Sequence, residues 1–127
     1  MTAETFDPKM TYVDLMPSGA RTIPVDDRFW PDLISGKLTI AGRLVSAYAM
    51  HDFPHWERHP AGEELIVALS GAMDIILEEE GGERTVSLTA GRAFLVPKRV
   101  WHRGIVTAPG DALFVTEGEG TEHKPIA

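Results

Sequence analysis

The chain has 127 residues, enough for one domain with one core and too short for two comfortable ones. A formal charge of −7 without a Lys or Arg run leaves no electrostatic footprint for nucleic acid or an anionic membrane, so neither is expected as a partner. Cysteine is absent, which excludes disulfides and thiolate metal sites; any metal must take His, Asp, Glu or water.

The N-terminal residues are acidic and lack the apolar stretch of a signal peptide. No apolar run approaches the ~18–20 residues of a membrane span, so a soluble cytoplasmic protein is expected. Residues 1–36 read as an N-terminal arm: a loose segment over 1–10, an edge strand over 11–16, a turn at Pro17-Ser18-Gly19 and a short helix over 26–35. Asp26 or Asp27 is the expected cap of that helix, Pro31 interrupts it and Gly36 ends it.

From Leu38 onward strand signals repeat, and residues 37–120 read as one barrel. Strands are predicted over 44–50, 55–59, 64–69, 72–78, 84–88, 93–96, 101–106 and 113–117. Turn material separates them, with Gly71 and Gly91 marking positions of positive φ. The segment 78–84 is a solvated hairpin tip, and 121–127 is a polar C-terminal tail. Short strands at this spacing fit a jelly-roll barrel and an immunoglobulin-like sandwich equally well.

The chemistry concentrates in two stretches. Glu57 and His59, at i and i+2 of a strand, share one face. Pro60-Ala61-Gly62 then turns the chain and Glu64 opens the next strand close to His59. In the second stretch an apolar strand from Gly91 stops at Pro97, and His102 follows five residues later. Imidazole nitrogens and carboxylate oxygens are what Mn, Fe, Ni, Cu or Zn bind when thiolates are absent.

These residues resemble the cupin superfamily. Its first motif runs Gly-x5-His-x-His-x3-4-Glu-x6-Gly, and His59-x4-Glu64-x6-Gly71 matches the second His, the Glu and the closing Gly. Its second motif runs Gly-x5-Pro-x-Gly-x2-His-x3-Asn, and Gly91-x5-Pro97 with His102 matches it. Glu57 replaces the first His, the opening Gly is missing, Arg99 replaces the second motif's inner Gly, and Val106 its Asn. The resemblance implies an all-β double-stranded β-helix, often dimeric, with a divalent transition metal inside held by His59, Glu64 and His102.

Glu57 is the expected fourth metal ligand, with His55 as its rival; both are also candidate acid/base groups. Two His and two Glu around a divalent ion make a neutral site, which depresses the pKa of bound water less than a cationic one. Trp56 and Trp101, one residue out of step with Glu57 and His102, are expected on the opposite face. His51 reads as a rim residue and His123 as a solvated tail residue. The mostly apolar inward positions around 47–51, 66–69, 94–96 and 113–115 favour a small organic substrate.

The expected function is a metal-dependent oxygenase, isomerase or lyase acting on such a molecule. The alternative is a non-catalytic small-ligand binder without metal. A homodimer is expected through the N-terminal edge strand.

Overall fold

The computed structural model describes residues 4–127; residues 1–3, the start of the expected arm, lie outside the described residues. The strands are β1 (Thr11–Met16), β2 (Gly19–Pro24), β3 (Arg43–Ala49), β4 (Trp56–Arg58), β5 (Glu64–Ala68), β6 (Ala72–Glu79), β7 (Gly82–Thr89), β8 (Ala93–Val96), β9 (His102–Ala108), β10 (Asp111–Glu117) and β11 (Glu122–Lys124). One helix, α1 (Phe29–Ser35), lies between β2 and β3 in the chain. No helix of the described residues is long and apolar enough to cross a membrane.

The strands form two antiparallel sheets, one ordered β2-β1-β3-β10-β5-β8 and the other β11-β4-β9-β6-β7. Their facing sides meet in one core. The first sheet contributes Ile66, Ala68, Val96, Ala112 and Phe114; the second contributes Met73, Ile75, Leu77 and Leu88. Alternation within each strand produces this division, because residues two apart share a face. On β10, Ala112 and Phe114 point inward while Leu113 and Val115 point away. This is a jelly-roll barrel.

A second core lies under α1. Tyr12, Phe29 and Leu44 are buried there, and Phe29 meets Tyr12 edge-on with ring centroids 4.9 Å apart. Buried Asp14 accepts backbone N–H bonds from Ala41 and Gly42, each at 2.9 Å, so the link between α1 and β3 is tied to β1.

Some expectations change. The strand over 11–16 is not an edge: β1 is flanked by β3 and by β2, which the sequence does not signal. β2 has no buried residue, so it lacks the apolar alternation of a strand packed on a core. The helix is capped at Arg28 without a side-chain bond, while Asp26 accepts the Arg28 N–H at 2.9 Å just before it. Pro31 falls in the first turn, where its missing N–H costs nothing, and Gly36 ends the helix at φ 83° as expected. The tail over 121–127 contains β11, paired to β4.

Gly71 is held at φ 69°, and a Cβ there would stand 2.5 Å from the carbonyl oxygens of Ala108 and Pro109. Arg99 occupies the left-handed region at φ 66°, among the described residues the one non-glycine that does so. That conformation is costly for a residue with a Cβ and not for glycine. Arg99→Gly should therefore stabilise the protein by about 0.5–1 kcal/mol, net of the entropy glycine returns to the unfolded chain. Urea unfolding measures this directly, and an unchanged or lowered midpoint would mean that contacts of the arginine side chain offset its strain.

Candidate metal centre

Each member of the site comes from a different local device. Glu57 is the middle residue of β4 and lies directly opposite His102, the first residue of β9. His59 follows β4 immediately, and its carbonyl accepts the Arg99 N–H at 3.2 Å, which ties the two motif turns together. Glu64 opens β5 on the other sheet, opposite Val96. The site thus bridges both sheets at one end of the core.

One donor atom from each of Glu57, His59, Glu64 and His102 falls within 4.8 Å of every other. Glu64 Oε1 is 3.0 Å from His102 Nε2 and 3.4 Å from His59 Nε2. Glu57 Oε1 is 3.5 Å and 3.6 Å from the same two nitrogens. His59, Glu64 and His102 are buried, whereas the Glu57 side chain is 23% exposed and forms the open edge.

The surroundings fix the orientation of each group. The Val100 carbonyl can only accept, so His102 donates from Nδ1 across 3.0 Å. Thr121 donates its hydroxyl proton to the Gly118 carbonyl at 3.2 Å, so its oxygen accepts from His59 Nδ1 at 3.0 Å. Both imidazoles therefore present Nε2 to the same point. Thr116 donates to Glu64 Oε2 at 2.6 Å, leaving Oε1 for the centre.

This arrangement fits a divalent ion. With bonds of ~2.1 Å, neighbouring donors stand about 3.0 Å apart in an octahedron and about 3.4 Å apart in a tetrahedron. The four measured separations, 3.0 to 3.6 Å, are of that size. His59 Nε2 is moreover buried without a hydrogen-bond partner, a state that a lone pair aimed at a cation resolves.

Without an ion, protons replace the positive charge. Burial alone would lower the pKa of His59, but the Glu57 and Glu64 carboxylates outweigh it and raise it to about 9. For His102 burial again opposes, and Glu57, Glu64 and the Val100 carbonyl raise it to about 10. Burial pushes both carboxyl groups up, and the imidazoles pull them down further still, below the ordinary carboxylate range.

The structure brings Glu57, His59, Glu64 and His102 together and leaves His55 out. His55 is exposed at the rim, where its ring meets His123 edge-on at 5.9 Å. His51 is an exposed rim residue stacked on Tyr48. Trp56 and Trp101 do face away from the site, under a layer of cations: Arg103 and Lys124 over Trp56, Arg58 and Lys124 over Trp101.

The sequence does not signal that two further residues, His123 and Tyr48, lie near the site carboxylates. His123, expected to be solvated, is carried by β11 opposite Glu57, with Nε2 3.6 Å from Glu57 Oε2. Tyr48 lines the interior, stacked on Phe114 at 4.9 Å. Burial and then the charges of Glu64 and Glu57 push its phenol above the ordinary tyrosine value, so it stays protonated. A groove of about 480 Å³ between Arg43, Leu65, Leu95 and Glu117 opens on the outer side of the first sheet and does not reach the four donors.

Comparison with known proteins agrees with the fold. No curated protein matches the chain by sequence. Among solved structures, a cupin-2 domain containing protein from Shewanella frigidimarina NCIMB 400 is similar, with 16% identity and a TM-score of 0.50 over 68% of this chain and 76% of that one. A mutant of Bacillus subtilis oxalate decarboxylase OxdC is similar too, with 17% identity and a TM-score of 0.54 over 66% of this chain and 24% of that one. At such identities the likeness shows the fold alone. The model of the cupin domain matches residues 47–116, more than half of the 127, and the chain belongs to the cupin domain family.

Proposed function

We propose that the protein binds a divalent transition metal through Glu57, His59, Glu64 and His102 and acts as an enzyme on a small organic molecule. The observation that carries this reading is the shared orientation of the two imidazoles. Each has its Nδ1 proton committed outward, to Val100 or Thr121, and its Nε2 aimed at a pair of carboxylates. A bound ion would supply Lewis acidity toward a substrate oxygen.

The remaining roles belong to the chain. Glu57, the open edge of the four, is the carboxylate that a substrate reaches first and is placed to accept its proton, and the imidazoles around it keep it in the ionised form that a ligand or a base needs. His55 stands beside His123, exposed and outside the four donors, so it can meet a substrate as an acid/base group without ligating the ion. Tyr48, Phe53 and Phe114 form an aromatic cluster beside the centre, with the Phe53 ring 6.2 Å from that of His102, surroundings that favour a small carbonyl or phenolic compound. The neutral charge of two His, two Glu and a divalent ion favours chemistry that needs only modest activation of water. Oxygenase, isomerase and lyase reactions are all open to such a site.

The second reading, a ligand binder without metal, draws on one feature. Two imidazolium groups and two carboxylates already neutralise one another in the buried site. Elemental analysis of tag-free protein purified without chelator decides between them, with His59→Ala as control. Near-stoichiometric metal in the wild type, lost in the variant, is expected. No metal in either, after incubation with Mn, Fe, Ni, Cu and Zn, would leave the ligand-binding reading.

The homodimer is proposed through the outer face of the first sheet rather than through an N-terminal edge strand. That face exposes Leu15 (45%), Leu69 (50%) and Leu95 (51%), beside half-buried Val45, Leu65 and Val115. An apolar sheet face of this kind suits a second copy of itself. Sedimentation should show a dimer that Leu95→Asp converts to monomer without loss of metal. A wild type that sediments as a monomer would remove the dimer.

A further inference from the structure

The short strand β11 has little of its own to hold it in place. It pairs with β4 at three positions, Glu122 with Arg58, His123 with Glu57 and Lys124 with Trp56, and buries no residue fully. Its outward contacts are made by charged side chains and are partly exposed: Glu122 with Arg58 at 2.9 Å, Lys124 with Glu78 at 2.8 Å, and the Lys124 ammonium over the Trp56 and Trp101 rings. Exposed pairs of this kind contribute little.

Its inward side chains do something different. Thr121, just before the strand, accepts the Nδ1 proton of His59 at 3.0 Å. His123 places Nε2 3.6 Å from Glu57 Oε2, the oxygen turned away from the other donors. Two of the four donor side chains thus meet one segment of seven residues, 118–124, His59 through a hydrogen bond and Glu57 through the longer His123 contact, and the turn of that segment is closed by the Thr121 bond to the Gly118 carbonyl.

We propose that Thr121 and His123 are positioning residues, and that β11 is a strap whose docking and the site's metal affinity reinforce each other. This inference rests on the metal-binding reading above. Thr121 selects the ring orientation and tautomer of His59 that presents Nε2 to the centre. His123 holds the outer oxygen of Glu57, so that one oxygen faces the ion. Partners of this kind set the direction and basicity of the groups that ligate. The coupling is reciprocal: whatever docking of the strap adds to metal affinity, metal binding adds to docking of the strap.

Titration of chelator-treated protein with Co(II), followed by its visible absorption, tests the proposal. Thr121→Val and His123→Ala should each weaken Co(II) binding about 10–100-fold and alter the spectrum. His123→Gln, which keeps an N–H donor on a side chain of similar reach, should recover part of the loss. Glu122→Ala, which cuts only an outward ion pair of the same strand, should leave affinity and spectrum near wild type. Hydrogen exchange at 121–124 should slow when Co(II) is added to the wild type and change little in a Thr121→Val, His123→Ala double variant. Wild-type affinity and spectrum in all variants would overturn the strap and leave the metal reading standing. No Co(II) binding by the wild type would overturn both.

Discussion

Glu64→Gln should abolish stoichiometric metal binding and cost the metal-free protein about 3 kcal/mol of stability, the scale of removing one partner from a buried ion pair. Glu64 is the member on which the others converge. Its Oε1 is the nearest acceptor to both His102 Nε2 and His59 Nε2, at 3.0 and 3.4 Å, and its Oε2 takes the Thr116 hydroxyl at 2.6 Å. Glutamine keeps the volume and can still accept from Thr116, so the variant removes charge with little loss of packing. The two buried imidazoles then share one carboxylate, that of Glu57, which is partly open to water. Chemical unfolding in chelator measures the cost, and elemental analysis measures the metal. A variant as stable as the wild type would mean that the imidazoles are neutral in the metal-free protein. A variant that retains metal would move the site elsewhere.

The importance of Glu64 is legible in the sequence, and the reason is local. His59, the Pro60-Ala61-Gly62 turn and Glu64 are near neighbours in the chain, and Glu57 lies two residues from His59 on an extended segment. Period-two alternation and short-range turns settle such groups without tertiary knowledge. The strands from β3 to β10 are legible too, since most carry apolar alternation or a short apolar run between turn residues, with ends shifted by a residue or two.

What the sequence hides depends on pairing. β2 and β11 lack apolar alternation and are strands only because β1 and β4 receive them. His123 reaches Glu57 through that pairing across 66 residues of chain, and Thr121 reaches His59 across 62. Tyr48 falls within a stretch expected to face inward, yet its nearness to the carboxylates follows from β3 lying beside β10 in the sheet. The expected edge character of β1 fails likewise, because the strand that covers it has no buried side.

The pH dependence of metal binding should be steep: each divalent ion bound at pH 7 displaces about two protons, and affinity rises about a hundredfold per pH unit between pH 6 and 8. The two protons are those of His59 and His102, whose pKa values in the metal-free protein are about 9 and about 10. Both rings must lose the Nε2 proton before that nitrogen can ligate, because Nδ1 is committed to Thr121 or Val100. Stability follows the same groups. In the metal-free protein each imidazole has a folded pKa above its ordinary 6.5, so its contribution is complete below about pH 6.5 and is lost as pH rises through 9 and 10. Glu57 and Glu64 have folded values below their ordinary 4.5, so their contribution is present above that pH and is lost on acidification. The metal-free protein is therefore most stable between about pH 4.5 and 6.5, and weakens toward alkaline pH. The metal-loaded protein holds neither proton, so its stability should rise with pH through the ordinary imidazole value of 6.5 and level off above it, where the metal-free protein goes on weakening. Calorimetric titration in buffers of different ionisation enthalpy counts the protons, and thermal unfolding at several pH values, with and without metal, reads the slopes. Two protons released and these two slopes would identify the buried charges as imidazolium. Fewer than one proton would mean that His59 and His102 are already neutral beside ionised carboxylates in the metal-free protein.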